Sequence, residues 1–197
     1  MSISLQKLSK TVVSGKTIKY MKLEINVIVA IDENNAIGNK GDLLDCFLLA
    51  DKLFFKKLTI GYGVISGRVT YESYPEAYRP LPDRHNFILT RDEQYVPSKT
   101  NDKTFIKRSM LAALNAAAEA GLEKIFIGGG SEIYKEILDM GIVDNIYLTR
   151  IKGTFEADKY FPDVDWSQWD ETFLFDQKEI SQKNTHQFET FQCSRNW

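Results

Sequence analysis

Asp51 is placed where a carboxyl group could do chemistry. Phe55 lies four positions on, Leu58 seven on and Leu48 three back, so on a helix all four share one face. A carboxylate on an apolar face is costly unless it is satisfied or functional. Such surroundings raise its pKa and let it act as an acid near neutral pH. The plainer alternative is a solvated aspartate near a helix start, where the helix dipole favours acids.

A second constellation suits an anion. Between Gly61 and Arg91 the chain reads as strand, Gly-Arg turn, short helix, Pro-rich loop and strand. Val64-Ile65-Ser66 runs into Gly67-Arg68, and Phe87-Ile88-Leu89 runs into Thr90-Arg91. Ligands of open α/β sheets sit at the carboxyl ends of strands. A helix opening at Arg68 adds backbone N–H donors and the positive end of its dipole. Two arginines, Thr70 and a helix N-terminus there suit a phosphate; two surface arginines flanking ordinary strand ends is the competing reading. A third glycine-rich strand end, Gly128-Gly129-Gly130 before Ser131, would let backbone approach a ligand closely. It is not the G-x-G-x-x-G dinucleotide fingerprint, because Ser131-Glu132-Ile133 breaks it. A tight strand-to-helix turn would need no ligand at all.

The elements that must carry these residues follow from pattern. Leu23–Ile31 reads as a buried strand, Asp32–Asn35 as a turn, and the segment opening at Ala36 and running to Asp42 as a flexible loop. Leu48–Leu58 reads as a helix and Thr104–Ile106 as a strand. Ser109–Ala120 is an Ala-rich helix with Ser109 as N-cap and Gly121 as its stop. Lys124–Ile127 is a strand; Ser131 then caps a helix through Leu138 that Gly141 ends. Asn145–Lys152 is a strand, and Glu171–Gln177 with Thr185–Gln192 alternate like an antiparallel hairpin. This succession predicts one α/β domain with a mainly parallel sheet and an antiparallel C-terminal edge.

Composition narrows the partners. At 22.6 kDa, with 43% hydrophobic and 26% charged residues, the chain fits one globular domain. No run approaches the roughly 18 apolar residues of a membrane span. The net charge is −2, but residues 1–22 hold five lysines and no acid, leaving −7 on the rest. That balance argues against nucleic acid as a partner of the folded domain. Two cysteines, Cys46 and Cys193, and two histidines, His85 and His186, point to no disulfide framework, no metal site and a reducing cytoplasm. Residues 1–21, without an arginine or an apolar core segment, read as a disordered leader or as the product of a start codon upstream of Met21, with the fold over 22–197.

Taken in order, several segments resemble dihydrofolate reductase. They are INVIVAIDENNAIGNKGDL, ADKLFFKKLT, VISGRVTYES, RPLPDR followed by NFILTR, IFIGGGSEIY, IYLTRI and the late Phe161-Pro162-Asp163. They extend from about Leu23 to Gln192. The resemblance implies a single domain with an eight-stranded, mostly parallel sheet, an antiparallel C-terminal edge strand and four flanking helices. It implies hydride transfer from NADPH to C6 of 7,8-dihydrofolate, with a proton delivered to N5, by a monomer.

The same resemblance assigns roles. Asp51 would be the acid of the pterin pocket, Phe55 its packing ring, and Thr149 a hydroxyl partner of both acid and pterin. Ile28, Val29 and Ala30 would line the pocket, with Leu81 beside the substrate and Ile127 and Tyr134 near hydride transfer. Arg84, after Leu81-Pro82-Asp83, would fork onto the α-carboxylate of the substrate's glutamate. NADPH would pass Ala30 and the loop residues Ile37, Gly38 and Leu43. Its phosphates would meet Gly67, Arg68, Val69 and Thr70 at one strand end, and Leu89, Thr90 and Arg91 at the next. The third contact would run from Ile127 through Gly128, Gly129 and Gly130 to Ser131, Glu132, Ile133 and Tyr134. A cis Gly-Gly bond is expected at Gly128–Gly129.

Two departures border the pterin pocket. Leu44-Asp45 stands where the family's loop has Pro-Trp, and Lys52 stands where a large apolar residue packs on substrate. The lysine stem could replace that contact while its ammonium attracts the glutamate tail; a solvent-facing lysine on a slightly rotated helix is the alternative. Other functions remain compatible: a reductase of this fold acting on another pterin or a pyrimidine, or a silent NADPH/folate-binding protein. Retention of Asp51, Phe55, Thr149 and Arg84 favours the folate reading.

Overall fold

The structure, a computed structural model, describes residues 23–196. The expected leader, residues 1–21, lies outside the described residues. The chain runs β1 (Glu24–Ile31), β2 (Ala36–Asn39), β3 (Asp42–Leu43), α1 (Leu49–Thr59), β4 (Gly63–Gly67), α2 (Arg68–Ser73), β5 (His85–Leu89), β6 (Thr104–Lys107) and α3 (Met110–Glu119). It continues through β7 (Lys124–Ile127), α4 (Ser131–Asp139), β8 (Asn145–Ile151), β9 (Lys159–Tyr160), β10 (Trp169–Gln177) and β11 (Phe188–Arg195).

Eight strands form the main sheet in the order β10-β11-β8-β1-β7-β4-β5-β6. From β8 to β6 all neighbours are parallel, so they are joined by crossovers rather than hairpins. β11 runs antiparallel to β8 and pairs with β10, which closes that edge. The antiparallel strand thus lies one place inside the edge.

Alternation along the strands sorts side chains between two cores. Val27 and Val29 of β1, Ile125 and Ile127 of β7, and Ile146 and Leu148 of β8 pack with Met110, Ala113, Ala117, Tyr134 and Ile137 of α3 and α4. Ile28, Phe126 and Tyr147 face the other way and meet Phe54, Phe55 and Leu58 of α1. A sheet covered on both faces explains why its strands read as continuous apolar runs.

Two local expectations are corrected. The segment expected to be a flexible loop contains an ordered hairpin: β2 and β3 pair through Lys40 and Gly41, both with positive φ (51° and 91°), as a two-residue turn requires. β9, more than a hundred residues on, adds a third strand. Ser131 does not cap α4; Gly130 is the N-cap and Ser131 the first helical residue. Ser109 does cap α3, its hydroxyl accepting from the Ala112 amide at 3.2 Å.

Candidate active site

A cleft of about 1840 Å³ opens along the carboxyl ends of β1, β4, β5 and β7. On the α1 side, Asp51 sits in the helix's first turn. That helix start has no side-chain cap of its own. The connection between β10 and β11 serves instead: the Leu49 amide donates to the Lys183 carbonyl (2.8 Å) and the Ala50 amide to Asn184 Oδ1 (3.0 Å). Just before it the Thr185 amide donates to the Phe47 carbonyl, and the Phe47 amide donates to the Thr185 hydroxyl. Asn184 and Thr185 therefore orient Asp51, a role invisible in local pattern because they lie more than 130 residues away.

Thr149 is the direct partner of the acid. Its hydroxyl donates to Asp51 Oδ1 at 2.7 Å. Burial raises the carboxyl above its ordinary value; the Thr149 hydrogen bond and the Lys52 charge oppose that only in part. Oδ2 makes no hydrogen bond among the described residues. The other acids on the cleft wall, Asp42, Asp83, Asp92, Glu132, Glu136 and Asp139, are all exposed. Cys46, also on the wall, has its thiol pushed up to about 11 by burial and by the Asp51 charge, so it stays protonated at neutral pH.

At the far end of α1 lies Arg84, only 4% exposed. Its Nε donates to Thr59 Oγ1 (2.8 Å), Nη1 to the Pro82 carbonyl (2.8 Å) and Nη2 to the Lys56 carbonyl (3.3 Å). Burial lowers its pKa, with the Asp83 charge opposing. A buried guanidinium held by neutral acceptors, with donors left over, is a site that welcomes a carboxylate.

The opposite half of the cleft suits a dinucleotide phosphate. α2 and α4 both open here without side-chain caps, so first-turn N–H groups remain for an anion. The Gly67 amide donates to the Gly129 carbonyl at 2.7 Å, tying the two turns together. Gly129 has φ +98°, and a Cβ there would come within 2.9 Å of the Tyr134 ring. The cis bond joins Gly129 to Gly130, one residue later than expected. Arg68 pairs with Glu72 at 2.9 Å, whereas Arg91 makes no ion pair among the described residues. Arg108, which sequence reasoning missed, donates to the carbonyls of Thr90, Asp92 and Glu93 and so holds the turn that carries Arg91. Donors and cations of this kind fit NADPH.

Most residues anticipated from sequence do line the cleft: Ile28, Val29 and Ala30; Ile37, Gly38 and Leu43; Lys52, Phe55 and Leu81; and the three strand ends through Thr70, Arg91 and Tyr134. Two lie off its wall. Thr149 stands behind Asp51, and Ile127 is fully buried because alternation along β7 turns it toward α3 and α4, away from the acid. Tyr134, also in that layer, is tied by its hydroxyl to the Ile28 carbonyl at 2.8 Å, and burial raises its pKa far above the ordinary value. The Lys52 ammonium lies over the Phe47 ring.

A family model described as dihydrofolate reductase matches residues 24–195. The chain belongs to the dihydrofolate reductase family. It is 35% identical to the dihydrofolate reductase of Schistosoma mansoni over 153 residues, covering 74% of this chain and 82% of that one. With the Aedes albopictus dihydrofolate reductase the identity is 38% over 152 residues (72% and 80% covered). With that of Bacillus subtilis it is 32% over 167 residues (84% and 90%). The fold is similar to a solved Enterococcus faecalis dihydrofolate reductase complexed with NADP(H) and RAB-propyl, at a TM-score of 0.74 and 32% identity, covering 88% of this chain and 96% of that one. The acid-bearing and glycine-rich halves of the cleft face one another across the end of β1.

Proposed function

We propose that this chain reduces 7,8-dihydrofolate to 5,6,7,8-tetrahydrofolate, using NADPH, with Asp51 assisting protonation at N5. One observation carries the reading: Asp51 is the single acid of the cleft wall that is not exposed, and it sits on the apolar side opposite the glycine-rich turns. When bound, NADPH supplies the hydride. The chain's own residues do the rest. Arg68, Thr70, Thr90, Arg91 and Gly128–Gly130 hold the cofactor's phosphates, and Ile28, Ala30 and Phe55 exclude water around the pterin. Arg84 receives the glutamate α-carboxylate. Asp51, its pKa raised by burial, holds its proton to higher pH than an exposed carboxyl does, while Thr149 fixes its orientation.

The reading takes dihydrofolate and NADPH as the ligands of a single chain, without nucleic acid. It places the protein in the cytoplasm, which its two free thiols suit. No helix among the described residues is long and apolar enough to cross a membrane. Mixing the protein with NADPH and dihydrofolate and following the cofactor's near-ultraviolet absorbance tests the whole reading. Rapid oxidation is expected. Oxidation with another pterin or a pyrimidine alone would favour the related reductase, and binding without oxidation a silent binding protein.

A further inference from the structure

The hydroxyl that touches the acid is itself held. Thr149 Oγ1 lies 2.7 Å from Asp51 Oδ1 and 3.2 Å from Thr190 Oγ1. A hydroxyl has one proton, and that of Thr149 is committed to the carboxylate. The longer contact must then be donated by Thr190. The two threonines are register partners on β8 and β11, so their side chains emerge on the same face of the sheet. Thr190 is 0% exposed and Thr149 2%, which leaves solvent no place to supply the donor instead.

We propose that Thr190 is a positioning residue for the acid, acting through Thr149. Thr190 donates to Thr149, and Thr149 donates to Asp51. The inner bond fixes the Thr149 rotor so that its proton points at the carboxylate. It also polarises that O–H, since linked hydrogen bonds strengthen one another. Both effects favour the ionised carboxyl over the neutral one, and so offset part of what burial does to Asp51. A cleft with fewer ordered donors near its acid gains most from such support. The loop that carries Leu44 and Asp45 places no side-chain hydrogen bond on Asp51 among the described residues.

The charged and titratable groups that act on this carboxyl are few. Lys52 lies on its own helix, Cys46 on the segment before it, and Tyr134 across the cleft on α4. On this face β8 and β11 add one titratable side chain among the described residues, Tyr147, two residues before Thr149. Arg150 and Glu189, the next register pair, point to the other side of the sheet, where Arg150 binds Glu171 at 2.6 Å.

The proposal rests on Asp51 being the working acid, and its test reads the carboxyl directly so that the two can fail separately. The Asp51 carboxyl is titrated by carbon-13 NMR in the wild type and in Thr190→Val, Thr190→Ser, Thr149→Val and the Val/Val double variant. The pH profile of dihydrofolate reduction is measured on the same proteins. Thr190→Val should raise the Asp51 pKa by about 0.2–0.5 unit, the share of a charge-assisted bond that cooperativity supplies. The falling limb of the rate profile should move up by the same amount. Thr190→Ser, which keeps the donor, should restore both. Thr149→Val should shift the carboxyl further, and adding Thr190→Val to it should change nothing more. An unshifted titration in a folded Thr190→Val protein, or shifts that simply add in the double variant, would overturn the relay. A titration shift without reductase activity would uphold the relay and remove the proposed reaction.

Discussion

The ammonium of Lys52 lies 4.2 Å from the centre of the Phe47 ring. Phe47 is in turn fixed to Thr185, whose hydroxyl accepts from its amide at 2.9 Å. That charge is therefore parked at the cleft mouth on a ring that is itself anchored. It can leave that ring for a ligand carboxylate at small cost, since exposed cation–π contacts contribute about 0.5–1 kcal/mol.

Lys52→Leu should weaken dihydrofolate binding by roughly 2–5-fold, the worth of one exposed charge contact. Dihydropteroate, which lacks the glutamate, should be unaffected. The difference between the two ligands in the wild type should narrow at high salt, because an exposed pair is screened. Binding constants for both ligands across a salt series check this, and equal effects on the two would remove the tail-binding role.

Asp51→Asn should lower the chemical step by about 10²–10⁴-fold at neutral pH while leaving NADPH affinity intact. The same change should stabilise the fold. Burial raises the folded-state pKa above the ordinary 3.8, so the carboxyl's stabilising contribution is full below that value and is lost as pH rises through the folded value. The melting temperature of the variant should thus exceed wild type at pH 7 and converge with it at strongly acidic pH. Each kcal/mol relieved is worth roughly 2–4 °C in a chain of this size. Scans at both pH values, beside single-turnover rates, measure the trade.

Arg84→Ala should cost glutamate-bearing ligands about 10²-fold or more in affinity and small pteridine-like inhibitors far less. It should also lower the melting temperature, because Thr59, Lys56 and Pro82 lose a shared donor. Comparable losses for both ligand types would mean that the arginine acts only as a brace.

NADPH should bind more tightly than NADH, and the two arginines should not share that preference equally. Arg68 is already paired with Glu72, whereas Arg91 has no such partner among the described residues. Arg91→Ala should therefore erode the preference more than Arg68→Ala, and Glu72→Gln should increase it. Cofactor titrations of the three variants give the order directly; equal wild-type affinities would remove the assignment of both arginines.

Local pattern was enough wherever a residue's fate is decided by its near neighbours. Short apolar runs marked β1, β4, β5, β7 and β8, and the i, i+4 spacing of Asp51 and Phe55 put the acid on the buried side of α1. It failed where the deciding partner is distant in the chain. The β2–β3 hairpin is completed by β9, α1 is capped by Lys183 and Asn184, and Thr190 reaches Asp51 through Thr149. The resemblance places Ile127 near hydride transfer, while the two-residue period of β7 sends its side chain to the core on the other face. Ser131 looked like a cap by type, yet Gly130 occupies that position.

Helix α1 carries a recognition group near each end. Asp51 occupies its first turn, while Lys56 and Thr59 of its last turn grip Arg84. At about 1.5 Å of rise per residue, the eight steps from Asp51 to Thr59 span roughly 12 Å. The helix is thus a ruler laid along the cleft, fixing how far apart a ligand's heterocycle and its carboxylate must be. A single inserted residue would slide one mark by about 1.5 Å and turn it by about 100°. If Asp51 and Arg84 bind as proposed, molecules of the wrong length would be refused by the backbone itself, whatever side chains line the wall between the two marks.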